Sequence, residues 1–268
     1  MDSELRLSGW AVILGASSGF GEATALELAR RGMDIVGVHL DRRATMPNVE
    51  RITAEVRSLG RKAVFFNSNA ADEQKRKQVV EAVVRETAGA SVPRVRVLLH
   101  SLAFGTLRPF ITEPATEGVS KAQMDMTLDV MAHSLVYWTQ DLVAHGLLGA
   151  ESRVFAMTST GGRRIMPSYG AVSAAKAALE SHCRQLACEL SPRSIAVNAI
   201  CAGVTDTPAA RKIPGYDQMS EVARARNPGK RLTTTDDVAR VIAALSAPGT
   251  TWLTGNVINV DGGEEIAA

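Results

Sequence analysis

Three side chains in the sequence have the types and spacing for acid–base chemistry: Ser159, Tyr169 and Lys176. Ser159 follows a predicted strand, and Tyr169 opens the next predicted helix. Lys176 comes seven residues later, close to two helical turns, so both side chains project from one helix face about 10 Å apart along the axis. A lysine ammonium near a phenol favours the phenolate, so we expect Lys176 to lower the pKa of Tyr169. Tyr169 would then serve an oxygen that gains charge when hydride arrives at a substrate, and Ser159 would orient that substrate, unless it is only a turn residue at a strand end.

A glycine-rich turn lies near the start of the sequence, between a predicted strand and a predicted helix. Its spacing is G-x-x-x-G-x-G over residues 15–21. Glycines allow a tight turn and a close approach to a pyrophosphate, and the helix N-terminus offers N–H groups and a positive dipole end. The turn therefore predicts dinucleotide binding through Gly15, Ser17, Ser18, Gly19, Phe20 and Gly21.

The end of the second predicted strand carries the residues that select the dinucleotide. An acid there accepts from the ribose hydroxyls of NADH, whereas arginine pairs with the extra phosphate of NADPH. The register puts His39 at the usual acid position, with Asp41, Arg42 and Arg43 following it. We predict NADPH bound by Arg42 and Arg43. NADH stays open as the alternative, because a one-residue loop shift would aim Asp41 at the ribose.

The composition of the 268 residues excludes several classes of protein. Apolar residues make up 46% and charged residues 22%, which is typical of a globular protein and not of a disordered chain. The net charge of +2 is scattered, so nucleic acid is not an expected partner. Cys183, Cys188 and Cys201 form no C-x-x-C pair, and the five histidines lack metal-ligand spacing, so no metal is expected. Acids within residues 1–4 and the absence of a long apolar run predict a cytoplasmic protein with no membrane partner.

Short β-rich runs alternate with helical stretches along the whole chain. Strands are predicted at 10–14, 34–40, 63–66, 95–99, 153–157, 195–200 and 257–260, and helices at 22–31, 49–59, 73–87, 121–147, 169–190 and 236–246. This alternation predicts a single α/β domain over 1–268, a doubly wound Rossmann-type fold with a seven-stranded parallel sheet. The irregular segment 201–235 interrupts the alternation after a strand end, so we interpret it as a lid over the ligand crevice.

These residues together resemble the short-chain dehydrogenase/reductase family over nearly the whole chain. The resemblance rests on the 15–21 turn, the Ser159, Tyr169 and Lys176 set, the segment 198–203 with Thr207, and the Asp-Gly-Gly at 261–263. It implies that further cofactor-binding positions are Asn69, Ala70, Ser101, Leu102, Ala103, Lys176, Gly203, Val204 and Thr207. It also implies a homotetramer or homodimer, with helices around 121–147 and 169–190 at the interface.

Three departures from the usual family pattern point to one branch. The usual spacing is Tyr-x-x-x-Lys, but Ser173 stands at that place and the lysine comes one turn later. His-Ser-Leu-Ala at 100–103 replaces Asn-Asn-Ala-Gly, and Met131 replaces the helix asparagine of the ketoreductase proton relay. These features are similar to the enoyl-acyl-carrier-protein reductases, and Gly-Thr-Leu-Arg-Pro at 105–109 is similar to their divergent NADPH-using branch. Ser159 stands where commoner members have a second tyrosine, which suggests weak binding of triclosan-type inhibitors.

The longer spacing also has a physical interpretation. In ketone reduction, hydride and acid act on the same carbonyl group. In enoyl reduction, hydride goes to C3 and charge appears on the thioester oxygen two carbons away, so the acid must stand further from the nicotinamide. Compared with the usual spacing, the longer spacing puts Tyr169 one helical turn, about 5 Å, further from Lys176. This is the direction in which the acid must move for enoyl reduction.

The sequence therefore favours an NADPH-dependent trans-2-enoyl thioester reductase of fatty acid synthesis with acyl carrier protein as partner. A carbonyl reductase acting on a small ketone or 3-oxoacyl thioester, and a non-catalytic NADP(H)-binding sensor, are the alternatives. His100 either contacts substrate or merely ends a strand. Three apolar residues of the irregular segment 201–235 would suit an acyl chain: Ile213, Met219 and Val222. Basic residues near it could receive the acidic carrier protein: Arg193, Arg211, Lys212, Arg224, Arg226, Lys230 and Arg231.

Overall fold

The computed structural model describes residues 6–90 and 94–267. The acidic residues 1–4 lie outside the described residues. Seven parallel strands form one sheet in the order β3-β2-β1-β4-β5-β6-β7, so the predicted seven-stranded doubly wound α/β fold is confirmed. The strands are β1 Trp10–Leu14, β2 Asp34–His39, β3 Ala63–Asn67, β4 Val95–His100, β5 Arg153–Thr158, β6 Ala196–Ala202 and β7 Val257–Val260.

Helices cover both faces of the sheet. They are α1 Gly19–Arg30, α2 Met46–Ser58, α3 Glu73–Glu86, α4 Lys121–Leu128, α5 Ser134–Ala144, α6 Gly170–Leu190, α7 Tyr216–Arg226 and α8 Thr235–Leu245. All five residues of β1 are buried, and alternate side chains enter opposite layers. Val12 and Leu14 join the core under α5 and α6, while Ala11 and Ile13 join the core under α1 and α8. This two-sided burial explains the continuous apolar runs in the sequence.

The long amphipathic stretch predicted over 121–147 is helical from Lys121 to Ala144, but it is not a regular α-helix throughout. The structure divides it into α4, a π-helical turn over Asp129–His133, and α5. A π turn carries one extra residue, so the backbone hydrogen bonds around it no longer follow the α pattern. The Ser134 hydroxyl donates to the Val130 carbonyl at 2.8 Å, which supplies a partner within this irregular stretch.

The segment predicted to be irregular contains a helix of its own, α7. It leaves the sheet after Ala202 and rejoins the helical layer where α8 begins at Thr235. A parallel bridge between Thr205 and Thr233 closes its base. Its role as a lid remains a prediction.

Within the described residues, no helix is long and apolar enough to cross a lipid bilayer. The same residues contain no group of three or more His, Cys, Asp or Glu side chains placed to hold a metal ion.

Candidate active site

A cavity of about 300 Å³ opens at the carboxyl ends of β1, β4, β5 and β6. Parallel sheets bind their ligands at this edge. The structure brings most of the predicted site residues into its lining: Gly15, Ser17, Ser18, Gly19, Phe20, Ser101, Leu102, Ala103, Ser159, Tyr169, Lys176, Gly203, Val204 and Thr207.

Five predicted cofactor-binding residues do not line this cavity. A Cβ on Gly21 would lie 2.0 Å from the Gly15 carbonyl oxygen, so Gly21 lets α1 pack against the turn. Ala70 is buried, and its carbonyl accepts a 2.8 Å hydrogen bond from the Trp138 indole. Asn69 is exposed beside it, and Arg42 and Arg43 are exposed beyond β2.

The glycine turn forms a cradle that fits a pyrophosphate. Gly15 has a φ of +87°, and a Cβ there would lie 2.3 Å from the Ser101 carbonyl oxygen. Ser18 is the N-cap of α1, but its side chain makes no capping hydrogen bond. The first turn of α1 therefore presents backbone N–H groups and a positive dipole end to the cavity.

The three predicted catalytic side chains meet at one end of the cavity. The Ser159 hydroxyl accepts from the Gly161 amide at 3.1 Å and is hydrogen bonded to the Tyr169 phenol. Tyr169 caps α6 and is 8% exposed, and Lys176 lies two turns along the helix at 5% exposed. The Lys176 ammonium donates to the Met157 carbonyl at 2.7 Å. The sheet edge and α6 thus hold a phenol and an ammonium beside a single cavity.

The prediction that Lys176 lowers the pKa of Tyr169 is wrong in this structure. Burial raises the pKa of Tyr169 above its ordinary value, and the Ser159 hydrogen bond opposes that rise only in part. The Lys176 ammonium is directed at the Met157 carbonyl instead of the phenol. Burial also lowers the pKa of Lys176 to about 8, so the ammonium is charged at neutral pH and the phenol keeps its proton.

The cavity lining is also rich in methionine. Met131, Met157, Met166 and Met219 line it, and methionine adapts readily to ligands of different shape. A Cβ on Gly105 would lie 2.7 Å from the Met131 sulfur, so the π-helical turn packs closely on this loop. Of the apolar residues predicted to serve an acyl chain, Ile213 and Met219 line the cavity. Val222 does not, because its position on α7 leaves it 57% exposed to solvent.

His100 does not line the cavity. It is fully buried at the end of β4, where its Nε2 is 2.8 Å from the Ser134 hydroxyl. Burial, and secondly the charge of Lys176, lower the pKa of His100 to about 3, so the imidazole is neutral. Its burial at the end of β4 favours the alternative that His100 ends a strand.

The end of β2, where the sequence predicts the choice between NADPH and NADH, carries an interacting pair of side chains. His39 ends β2 and is buried, and its Nδ1 lies 2.9 Å from the Asp41 carboxylate. Although burial opposes it, hydrogen bonds from Thr45, Ser17 and His39 hold the pKa of Asp41 below its ordinary value. The carboxylate thus lies against the glycine turn with several partners already in place.

One contributor was missed by the sequence analysis, the turn that follows β7. The buried Glu264 carboxylate accepts from the Val204 amide at 3.0 Å and lies 3.7 Å from the Arg226 guanidinium of α7. The Glu265 carboxylate forms an ion pair with the Arg164 guanidinium at 3.2 Å, and Arg164 lies in the loop after Ser159. Two acids directly after Asp-Gly-Gly were the available signal, but nothing local indicates a partner some sixty residues away.

Comparison with known proteins agrees with this geometry. A family model described as enoyl-(acyl carrier protein) reductase matches residues 15–265. The chain belongs to this family of short-chain dehydrogenases/reductases. Members of this family bind a nicotinamide cofactor.

Individual relatives carry different activities. The chain is 28% identical to a 3-oxoacyl-[acyl-carrier-protein] reductase of Thermotoga maritima, covering 97% of this chain and 99% of the relative. It is 30% identical to a 1-cyclohexenylcarbonyl-CoA reductase of Streptomyces collinus, covering 96% and 87%. Among solved structures, a short-chain dehydrogenase of Burkholderia cenocepacia in complex with NADP has a TM-score of 0.81 at 25% identity, covering 98% and 100%.

Proposed function

We propose that the protein is an NADPH-dependent enoyl thioester reductase that saturates the trans-2 double bond. The observation that carries this proposal is the pairing of a neutral Tyr169 with an apolar cavity. Met131 lines the cavity, and the resemblance predicts that it stands in place of the ketoreductase asparagine. A thioether has no proton to donate and accepts hydrogen bonds only weakly, so this lining suits an unsaturated acyl chain better than a polar ketone relay.

The reduced nicotinamide supplies a hydride when the cofactor is bound. Gly15, Gly19 and the first turn of α1 would hold its pyrophosphate, and Lys176 would hold the nicotinamide ribose. Tyr169 would donate a hydrogen bond to the thioester oxygen and stabilise the enolate that forms on the substrate as C3 is reduced. Its raised pKa keeps the proton available for this purpose. Ser159 fixes the orientation of the phenol.

The preference for NADPH rests on the exposed arginines. Arg42 and Arg43 have exposed side chains, and no ion pair to either is seen among residues 6–90 and 94–267. Their guanidinium groups are therefore available to a phosphate. The Asp41 carboxylate already lies 2.9 Å from the Nδ1 of His39, which leaves less acceptor capacity for the ribose of NADH. The Burkholderia structure was solved with NADP.

Reduction of a 3-oxoacyl thioester is the second candidate. The Thermotoga relative, named for that reaction, matches almost the full length of both chains. The 1-cyclohexenylcarbonyl-CoA named for the Streptomyces relative is instead an unsaturated acyl thioester. Both candidates use Tyr169 as the acid, so they differ in the carbon that the hydride reaches.

We propose acyl carrier protein as the partner that delivers the substrate. Three of the basic residues predicted to receive it already have acidic partners, because Arg211 pairs with Asp206, Arg226 with Glu264 and Arg231 with Asp237. Lys212 lines the cavity, and Arg224 is exposed on α7, so these two are the better candidates. A homodimer or homotetramer through α4, α5 and α6 belongs to the same proposal, and its mass in solution tests it.

The test offers matched substrates separately. A trans-2-enoyl and a 3-oxoacyl thioester of equal chain length are each supplied on acyl carrier protein and on coenzyme A, and NADPH consumption is followed by absorbance. The proposal expects turnover of the enoyl substrates and at least tenfold less with the oxo substrates. The reverse preference would establish the second candidate. NADPH binding without consumption in any arm would indicate a sensor.

A further inference from the structure

Two buried groups beside the active site each lack part of their hydrogen bonding. An ammonium has three N–H donors, and buried donors are normally paired. The acceptor found for Lys176 among the described residues is the Met157 carbonyl alone. In the same part of the chain, the Nδ1 of His100 is buried and has no hydrogen-bond partner.

The tautomer of His100 follows from its neighbour. The Ser134 hydroxyl donates to the Val130 carbonyl at 2.8 Å, so its oxygen is left to accept. The Nε2 of His100 lies 2.8 Å from that oxygen and must therefore be the protonated nitrogen. In a neutral ring the other nitrogen, Nδ1, then carries a lone pair and can only accept.

The backbone places this acceptor near the lysine. In the β4–β5 pairing His100 lies opposite Ala156, and the next residue, Met157, carries the carbonyl that Lys176 binds. Besides burial, the positive charge of Lys176 contributes to lowering the pKa of His100, because it disfavours a second positive charge nearby. The other titratable groups acting on Lys176 are Glu180, Cys183 and Cys201. Glu180 is already engaged, because it accepts from the Thr158 hydroxyl at 2.7 Å.

We propose that His100 is a positioning residue for Lys176: its Nδ1 accepts a hydrogen bond from a water molecule that in turn accepts one from the ammonium. Ser134 fixes the ring so that this lone pair cannot turn away. The bond stabilises the charged form of Lys176 and directs its remaining N–H towards the cavity. The proposal requires only that Lys176 works as a charged group, so it holds for an enoyl or an oxo substrate.

The direct test is ¹⁵N NMR of histidine side chains in the protein without cofactor. His100 is recognised among the five histidines as the ring that stays neutral down to about pH 4 and disappears in His100→Asn. We expect the Nε2–H tautomer, with an Nδ1 shift that indicates an accepted hydrogen bond. In Lys176→Met the Nδ1 shift should move to the value of a free acceptor, whereas Lys212→Met should leave it unchanged. An Nδ1–H tautomer, or no response to Lys176→Met, overturns the proposal.

A second test uses two substitutions that each keep one ring nitrogen's role. Asparagine places its amide oxygen near the position of Nδ1, whereas glutamine reaches the position of Nε2 beside Ser134. The readout is NADPH affinity against pH, which weakens as Lys176 loses its charge. We expect the midpoint to fall by about one pH unit in His100→Gln, as for loss of one hydrogen bond to a charged group, and to stay near that of the unaltered protein in His100→Asn.

Equal midpoints in His100→Gln and the unaltered protein would overturn the proposal. Equal shifts in both variants would do the same, because they would assign His100 to packing alone. If neither variant folds, the NMR comparison of the unaltered protein with Lys176→Met decides the matter. Failure of enoyl turnover would leave both readouts intact, since neither needs a substrate.

Discussion

The two ends of the crevice are built differently. At the catalytic end, defined by Ser159, Tyr169 and Lys176, the phenol and the ammonium are buried and bonded to the sheet edge. At the charged rim, defined by Asp41, Arg42 and Arg43, both arginines are exposed. Burial strengthens each polar interaction and makes its loss costly, whereas water and salt weaken exposed charges. The first end should therefore determine rate, and the second should tune cofactor choice.

The largest effect is expected at the catalytic end from Tyr169→Phe. Loss of a positioned general acid lowers rates by about 100- to 10,000-fold. We expect kcat to fall within that range, while the dissociation constant of NADPH changes less than about twofold. Steady-state kinetics and fluorescence titration measure the two quantities. The exposed Tyr137 provides the control, and Tyr137→Phe should keep full activity. An active Tyr169→Phe enzyme would assign the acid to another group.

A smaller effect is expected at the charged rim from the double variant Arg42→Gln with Arg43→Gln. One or two charge-assisted hydrogen bonds to a phosphate correspond to about 10- to 100-fold in affinity. NADPH binding should weaken by that factor and NADH binding should hardly change, as measured by isothermal titration. Arg85→Gln, an exposed arginine of α3, is the control. Equal weakening of both cofactors would mean that the rim does not read the phosphate.

The contributions of the catalytic end and of the charged rim to cofactor affinity should also differ in their dependence on pH. Burial lowers the pKa of Lys176 from 10.5 to about 8, so its charge is complete below that pH and is lost above it. Cofactor affinity should therefore fall between about pH 8 and pH 9, by at most about tenfold per unit. The arginines of the rim keep their charge throughout this range. A binding profile that stays flat up to pH 9.5 would contradict the role given to Lys176.

The smallest effect is expected from the double variant Lys212→Gln with Arg224→Gln. Exposed charges that guide a protein partner change affinity only a few-fold and depend on salt. KM should rise about two- to fivefold for substrate on acyl carrier protein and stay constant for the coenzyme A thioester. Arg231→Gln, which breaks an existing pair with Asp237, is the matched control. A rise for both thioesters would point to a damaged cavity.

The sequence predicted the structure well where it depends on patterns of nearby residues, such as the alternation of apolar runs and the spacing within motifs. The β-α alternation predicted seven parallel strands, and the motifs around Gly15 and Tyr169 predicted which strand ends meet. The π-helical turn at Asp129–His133 was not predictable, because the apolar spacing across it also fits an unbroken helix. The pKa of Tyr169 depends on burial and on where the Lys176 ammonium points, which spacing alone does not give. Glu264 depends on a contact between residues far apart in the chain.

The contact between Glu264 and Val204 has a consequence for biosynthesis. Val204 lines the cavity, yet its amide is held by a residue that follows β7, an edge strand of the sheet. On a growing polypeptide, the Val204 amide therefore lacks this partner until residues 257–264 have left the ribosome and docked. A nascent chain stalled before that point should lack part of the support for the cavity wall.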